Sequence, residues 1–290
     1  MKNAIVCHDA GGAEILSNYI KNINNYYLVL SGPAKKIFKS KFKKIYSFKL
    51  KNIIKKCNLI LCGTSAKSNL EINAIKYGKK LNIKTIAFLE HWINYKERFL
   101  RNKKLFLPDE LRVGDKYAKK IAEKLFKNLP IKLIQNPYWK NFCYQLKKFK
   151  RKRTNSSKEI ILYFTENLEQ INKISKTNVN FSDFDAINFF FRNIKYISKK
   201  IDKIIFRVHP SENIKKYKKI ILRYSNQFKI EVSKKNKLIE DIANCDIAVG
   251  CQTMAMVMAL FAKKKVFSSV PIKNYNKILP HKKIIYLNTF

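Results

Sequence analysis

Short apolar runs alternate with longer amphipathic stretches along this chain, and no other feature constrains its fold as tightly. Runs rich in Ile, Leu, Val, Phe and Cys lie at 3–7, 27–31, 59–62, 83–89, 111–113 and 131–135, and again at 160–164, 203–208, 229–232, 246–250 and 265–268. They are too short for helices, whereas several of the intervening stretches repeat their apolar residues with helical spacing. Strand and helix in turn is the pattern of a parallel sheet, because each parallel crossover must travel back over a face of the sheet. Uninterrupted apolar runs further suggest strands covered on both faces. The segment 150–158 (KRKRTNSSK) is polar, basic and free of large apolar residues, so it divides the chain. The expected organisation is an N-terminal domain over 1–150, a basic linker over 151–158 and a C-terminal domain over 159–290.

The fold class expected is therefore α/β, with two Rossmann-like parallel-sheet domains facing a cleft. The 290 residues are enough for two such cores. The balance of 61 Lys plus Arg against 20 Asp plus Glu gives a formal net charge of +41. Lysine supplies nearly all of the positive charge and is spread along the whole chain, unlike the local Arg and Lys cluster of a nucleic-acid motif. No nucleic-acid partner is expected, and an anionic membrane surface and phosphorylated substrates are the natural counterparts of such a field. The longest apolar run, 254–262, is far short of the ~18 residues of a spanning helix. His8 and Asp9 interrupt the N-terminus before a signal-peptide core could form, and the six cysteines show no CxxC pair. A cytoplasmic protein without structural zinc, peripheral to the inner membrane, is the expectation.

Open α/β sheets bind ligands beyond the carboxyl ends of their strands, so the residues directly after each run carry the information. After 3–7 comes His8-Asp9-Ala10-Gly11-Gly12-Ala13-Glu14, opening a helix. Gly11 and Gly12 would let the backbone approach a ligand, with the helix-start N–H groups favouring an anion. The motif is not GxGxxG, which excludes a dinucleotide fingerprint. After 59–62 comes Gly63-Thr64-Ser65, with Lys67 where the last glycine of a hydrolase elbow should stand, which argues against a serine hydrolase. After 83–89 come Glu90-His91-Trp92, a carboxylate and an imidazole able to move protons beside an aromatic on which a sugar could stack. A helix is expected from Ser68, with Glu71 completing a capping box.

In the second half, Arg207-Val208-His209-Pro210 ends a strand, and Pro210 suits the first turn of a following helix. An imidazole and helix N–H groups converging there would hold a phosphate without a metal. Gly250, Gln252 and Thr253 form a similar strand-to-helix turn. Asp183 and Asp185 mimic a metal-binding DxD but follow Ser182 at a predicted helix start, where acidic residues serve as caps. No metal is expected.

Taken in order, HDAGGAE, GTS, IKTIAFLEHWINYKERF, LPDELRVGDKYAKKIA, QNPYW, RVHP and DIAVGCQTMAMVMAL with KKVFSSVP resemble bacterial surface-polysaccharide biosynthesis proteins of the GT-B glycosyltransferase type. His209-Pro210 also resembles the His-Pro motif of polysialyltransferase-like and capsule Kdo-transferase-like enzymes. The resemblance implies a GT-B-like, metal-independent glycosyltransferase that takes a sugar from a CMP- or UDP-linked nucleotide-sugar and extends a cell-surface glycan or a lipid-linked acceptor. The C-terminal domain would hold the donor through Arg207, His209, Pro210, Gly250, Gln252 and Thr253, with Gly11 and Gly12 facing it from the acceptor side. Catalytic candidates are Asp9, His91 and Glu14, with Asp9 preferred as base and Glu90 and His8 beside it. A nucleotide-sugar 2-epimerase-like enzyme and a non-catalytic assembly protein of the same fold are the alternatives. No cofactor beyond the nucleotide-sugar substrate is implied.

Overall fold

The computed structural model describes residues 2–149, 157–169, 180–233, 236–273 and 277–290. The chain forms two compact units, Met1–Asn141 and Phe142–Phe290. The boundary falls inside the helix Pro137–Leu146, ahead of the basic run, of which residues 150–156 lie outside the described ones.

The first unit is built on strands β1 (Lys2–Cys7), β2 (Tyr26–Leu30), β3 (Cys57–Cys62), β4 (Lys84–Leu89), β7 (Glu110–Val113) and β8 (Ile131–Leu133), in the order β2-β1-β3-β4-β7-β8. Every pairing in this sheet is parallel. A two-stranded antiparallel hairpin, β5 (Leu100–Arg101) with β6 (Lys104–Leu105), stands apart from it. In the second unit β9 (Glu159–Phe164), β10 (Ile201–Arg207), β11 (Ile230–Val232), β12 (Ile247–Gly250), β13 (Lys265–Ser268) and β14 (Ile284–Tyr286) run in the order β11-β10-β9-β12-β13-β14, again all parallel. The α/β class of two Rossmann-like parallel sheets is what the alternation of runs required. In each sheet the strand order reverses once, between β1 and β3 and between β9 and β12, and such switch points open a crevice at the carboxyl ends of the strands.

The central strands are buried because helices cover both faces, which is why their sequences are continuously apolar. Ala4, Ile5, Val6 and Cys7 have no exposed surface, nor do Ile247, Ala248 and Val249. Ile5, Leu16, Phe38, Leu61 and Phe88 form the core of the first unit. That of the second is aromatic, with Tyr163 against Phe190 and Phe206, and Phe191 stacked on Tyr224 at 3.8 Å. Burying each such ring contributes about 2–3 kcal/mol.

The structure departs from the sequence expectations in four places. β14 and the β5–β6 hairpin were not expected. Pro210 begins no helix: residues 209–212 form a turn in which Glu212 N–H donates to His209 O at 2.9 Å, and a 3-10 turn starts only at Ile214. The helix expected from Ser68 runs over Leu70–Lys80, and Glu71 does not reach back to close a capping box. Among the described residues no helix is long and apolar enough to cross a membrane.

Candidate functional site

In the first unit the turns after β1, β3 and β4 are tied into one polar network at the switch point. Asp9 precedes the helix Ala10–Tyr19 without capping it. Its Oδ1 instead meets His8 Nδ1 at 2.6 Å and accepts from Ser65 Oγ at 3.0 Å. The Asp9 side chain keeps 29% of its surface exposed, so the carboxylate is fixed yet reachable. Thr64 Oγ1 donates to Glu90 Oε2 at 2.9 Å, and Arg98 pairs with Glu90 while also bonding Thr64 Oγ1. Arg101 holds the carbonyls of Ser65 and Ser68 at 2.8 and 2.7 Å, fixing the turn after β3 from outside.

The two glycines of the first turn serve this packing. A Cβ on Gly11 would collide with the Glu90 side chain, and one on Gly12 would lie 3.1 Å from Gly63 Cα. The close approach inferred from the sequence is thus made by the chain itself. Glu14 is drawn to Lys41 in an ion pair, apart from the Asp9 network. His91 Nδ1 accepts from Trp92 N–H at 3.0 Å. Burial and then the neighbouring Arg98 charge lower its pKa to about 4, so the ring is neutral and only weakly basic near neutral pH. Trp92 Nε1 donates to Asp115 at 2.8 Å, and its ring stacks on Trp139.

Glu71 is the residue the sequence reading placed wrongly. It is 2% exposed, and its Oε1 accepts the His8 N–H at 2.6 Å. Oε2 is buried without a hydrogen-bond partner among the described residues. Burial, reinforced by the Asp9 charge and opposed by the His8 N–H bond, pushes its pKa up to about 7. Nothing in the spacing reveals this, since 63 residues separate Glu71 from His8.

In the second unit three turns converge in the same way. His209 follows β10; its N–H donates to Thr165 Oγ1 at 2.9 Å, and its Nδ1 lies 2.7 Å from Ser211 Oγ and accepts Ser211 N–H at 3.2 Å. Nδ1 being an acceptor, the proton of the neutral ring sits on Nε2. Burial lowers the His209 pKa, which favours that neutral form. Val208, Pro210, Asn213, Ile214 and Ser233 line an open depression of about 590 Å³ around this turn. Arg207 is committed elsewhere: it pairs at 2.6 Å with Asp241, whose side chain is wholly buried, and Ser233 and Asn236 bond the same carboxylate.

The amides after β12 are also committed. Cys251 N–H and Gln252 N–H donate to Glu166 Oε1 at 3.0 and 2.6 Å. Burial, with the nearby Asp183 charge adding to it, raises the Glu166 pKa to about 7 against the pull of those amides. Thr253 caps the helix Met254–Phe261 through Ala255 N–H, Gln252 Oε1 accepts Ile278 N–H, and a Cβ on Gly250 would lie 3.2 Å from Met256 Sδ. Thr165 and Glu166 follow β9 directly, so the rule that singled out the other turns applied to them too. Ser182 and Asp185 close a capping box at the helix Asp183–Arg192, and Asp183 binds Leu168 N–H and Lys216. No cluster of three or more metal-ligating side chains occurs among the described residues.

No protein-family model matches the sequence, and no curated protein matches it. Solved structures do resemble it. The UDP-GlcNAc 2-epimerase of Methanocaldococcus jannaschii superposes with a TM-score of 0.66 at 14% identity, covering 99% of this chain and 88% of that one. The Neisseria meningitidis UDP-GlcNAc 2-epimerase bound to UDP-GlcNAc gives 0.63 at 12% identity, over 98% and 87% of the two chains. Acinetobacter baumannii MurG gives 0.55 at 7% identity, over 100% and 87%. At these identities the likeness establishes the fold: two Rossmann-like units of GT-B type.

Proposed function

We propose that the chain is a nucleotide-sugar enzyme of GT-B type, and that it is a glycosyltransferase moving a sugar from a nucleotide-sugar donor to a cell-surface glycan or lipid-linked acceptor without a metal. The observation that carries the reading is His209: a neutral imidazole at a strand end, its Nδ1 occupied by the Ser211 hydroxyl and amide, leaving Nε2–H as a donor for a phosphate oxygen. The leaving nucleotide gains negative charge as the glycosidic bond breaks, and a fixed donor aimed at that charge lowers the barrier. The solved structures that resemble this chain include one bound to UDP-GlcNAc, which supports a nucleotide sugar as the ligand. Asp9 is the base, for an inverting transfer, that takes the proton of the acceptor hydroxyl. Ser65 and His8 orient its carboxylate, whereas Glu14 is held by Lys41 and His91 Nδ1 is taken by the Trp92 N–H.

A second reading, a nucleotide-sugar 2-epimerase, is favoured by the higher TM-scores of 0.66 and 0.63 with two epimerases. The experiment is a thermal-shift panel of UDP, GDP, CDP and CMP, followed by product analysis with radiolabelled sugars on the nucleotide that stabilises the chain. Label transferred to an acceptor, in the presence of EDTA, supports the glycosyltransferase. Isomerised donor establishes the epimerase instead, and binding without turnover leaves an assembly protein. A cytoplasmic enzyme adhering to the anionic inner membrane through its lysines completes the proposal.

A further inference from the structure

The switch point of the second sheet lies between β9 and β12, the position at which an open α/β sheet ordinarily receives its ligand. Residues 165–167 run through it. Thr165 faces the β10 side, where its Oγ1 accepts His209 N–H and donates to Glu212 at 3.0 Å; Asn167 Nδ2 reaches Ser211 Oγ at 3.3 Å. Glu166, between them, turns to the β12 side and accepts two successive amides ahead of the eight-residue helix Met254–Phe261. Its side chain belongs to a residue only 7% exposed. Successive backbone N–H groups before a helix form the concavity in which a phosphate oxygen would otherwise rest. Here a carboxylate of the chain fills it. Two anions cannot share those donors in a buried place, and Glu166 has no second seat: the neighbouring Asp183 is itself an anion already bound to Leu168 N–H and Lys216.

We propose that Glu166 is a specificity-determining residue of the second unit: it holds the amides after β12 from within, and so confines the phosphates of the nucleotide sugar to the His209 turn. The inference rests on the reading of this unit as the donor-binding half. It assigns the Cys251 and Gln252 amides to the support of Glu166, with the phosphate contacts left to His209 and the backbone around it.

The test uses the full chain with pyrophosphate and UDP, their affinities measured by calorimetry at about pH 8.5, where Glu166 is ionised. Glu166→Gln puts a neutral, weaker acceptor in place of the carboxylate, one that a phosphate oxygen can displace from the amides, and removes the competing charge. UDP and pyrophosphate should bind this variant roughly tenfold more tightly than wild type. Binding should also survive in the Glu166→Gln/His209→Ala double variant, while His209→Ala alone loses it. Equal affinities for wild type and Glu166→Gln, or a weaker Glu166→Gln, overturn the inference and leave the donor-binding reading standing. Absence of binding by both proteins refutes that reading and the inference with it. Should Glu166→Gln not fold, hydrogen exchange on the wild type decides the matter. UDP should slow exchange over 207–214 and leave 250–254 unchanged, and protection over 250–254 refutes the inference.

Discussion

Replacing Glu71 by Gln should change the stability of the first unit by an amount that depends on pH, and the dependence follows from the site. A carboxyl normally titrating near 4.5 is held at about 7 by burial beneath the first turn. The folded state therefore keeps a proton that the unfolded chain releases as pH rises through 4.5 toward 7. Stability from this group is greatest below 4.5, falls across that window, and is constant above 7. The groups facing it are His8 and Asp9 at the end of β1, with Cys7 and Cys62 at the ends of β1 and β3. Each pKa unit corresponds to about 1.4 kcal/mol, so the ionised carboxylate costs on the order of 3 kcal/mol above neutrality, and roughly 2–3 kcal/mol of that appears between pH 5 and pH 8. Gln does not ionise. It brings an amide NH₂ beside the space that Oε2 occupies, an offset of about 1–3 kcal/mol that is the same at every pH. The quantity to measure is the difference between the two pH values. Both tryptophans, Trp92 and Trp139, are buried in the first unit, so their fluorescence in urea follows that unit's unfolding alone. Relative to wild type, the variant's midpoint should rise by roughly 1 M urea more at pH 8 than at pH 5, with an m-value of ~2 kcal/mol/M. Equal midpoint shifts at both pH values would show that Glu71 is ionised throughout and refute the reasoning.

Three further outcomes are expected. Arg207→Ala strands the wholly buried Asp241 carboxylate and should destabilise the second unit by about 3–5 kcal/mol, read as a loss of cooperative unfolding or a large drop in its midpoint; a change below 1 kcal/mol would mean Ser233 and Asn236 suffice. Asp9→Asn should lower kcat by about 10²–10⁴ while nucleotide affinity stays within twofold, measured by steady-state kinetics and calorimetry on the active donor; near-normal turnover would exclude Asp9 as base. Flotation with anionic vesicles should decline as salt is raised from 0.1 to about 0.5 M, because an attraction spread over exposed lysines is screened within a Debye length; salt-resistant flotation would indicate an inserted apolar surface instead.

The strand positions were legible because a strand covered on both faces must be apolar wherever it is buried, and the buried residues of β1, β3, β9 and β12 meet that requirement locally. β14 was not read from the strand–helix alternation and is a strand by virtue of pairing with β13. Pro210 misled because a proline suits a turn as well as a first helical position, and the His209–Glu212 turn uses it in the former way. The residues at strand ends were also legible, since the chain direction in a parallel sheet places them all at one edge. Their partners were not. Glu166 lies 85 residues from Cys251, Arg207 lies 34 from Asp241, and which carboxylate meets which donor is decided by the sheet order rather than by neighbouring sequence. The sequence alone thus determined which elements form and which turns carry ionisable groups. Only the tertiary structure decided which of those groups remain available, because burial and long-range pairing commit Glu90, Glu14, Arg207 and the amides after β12 to the chain itself, and leave Asp9 and His209 partly exposed.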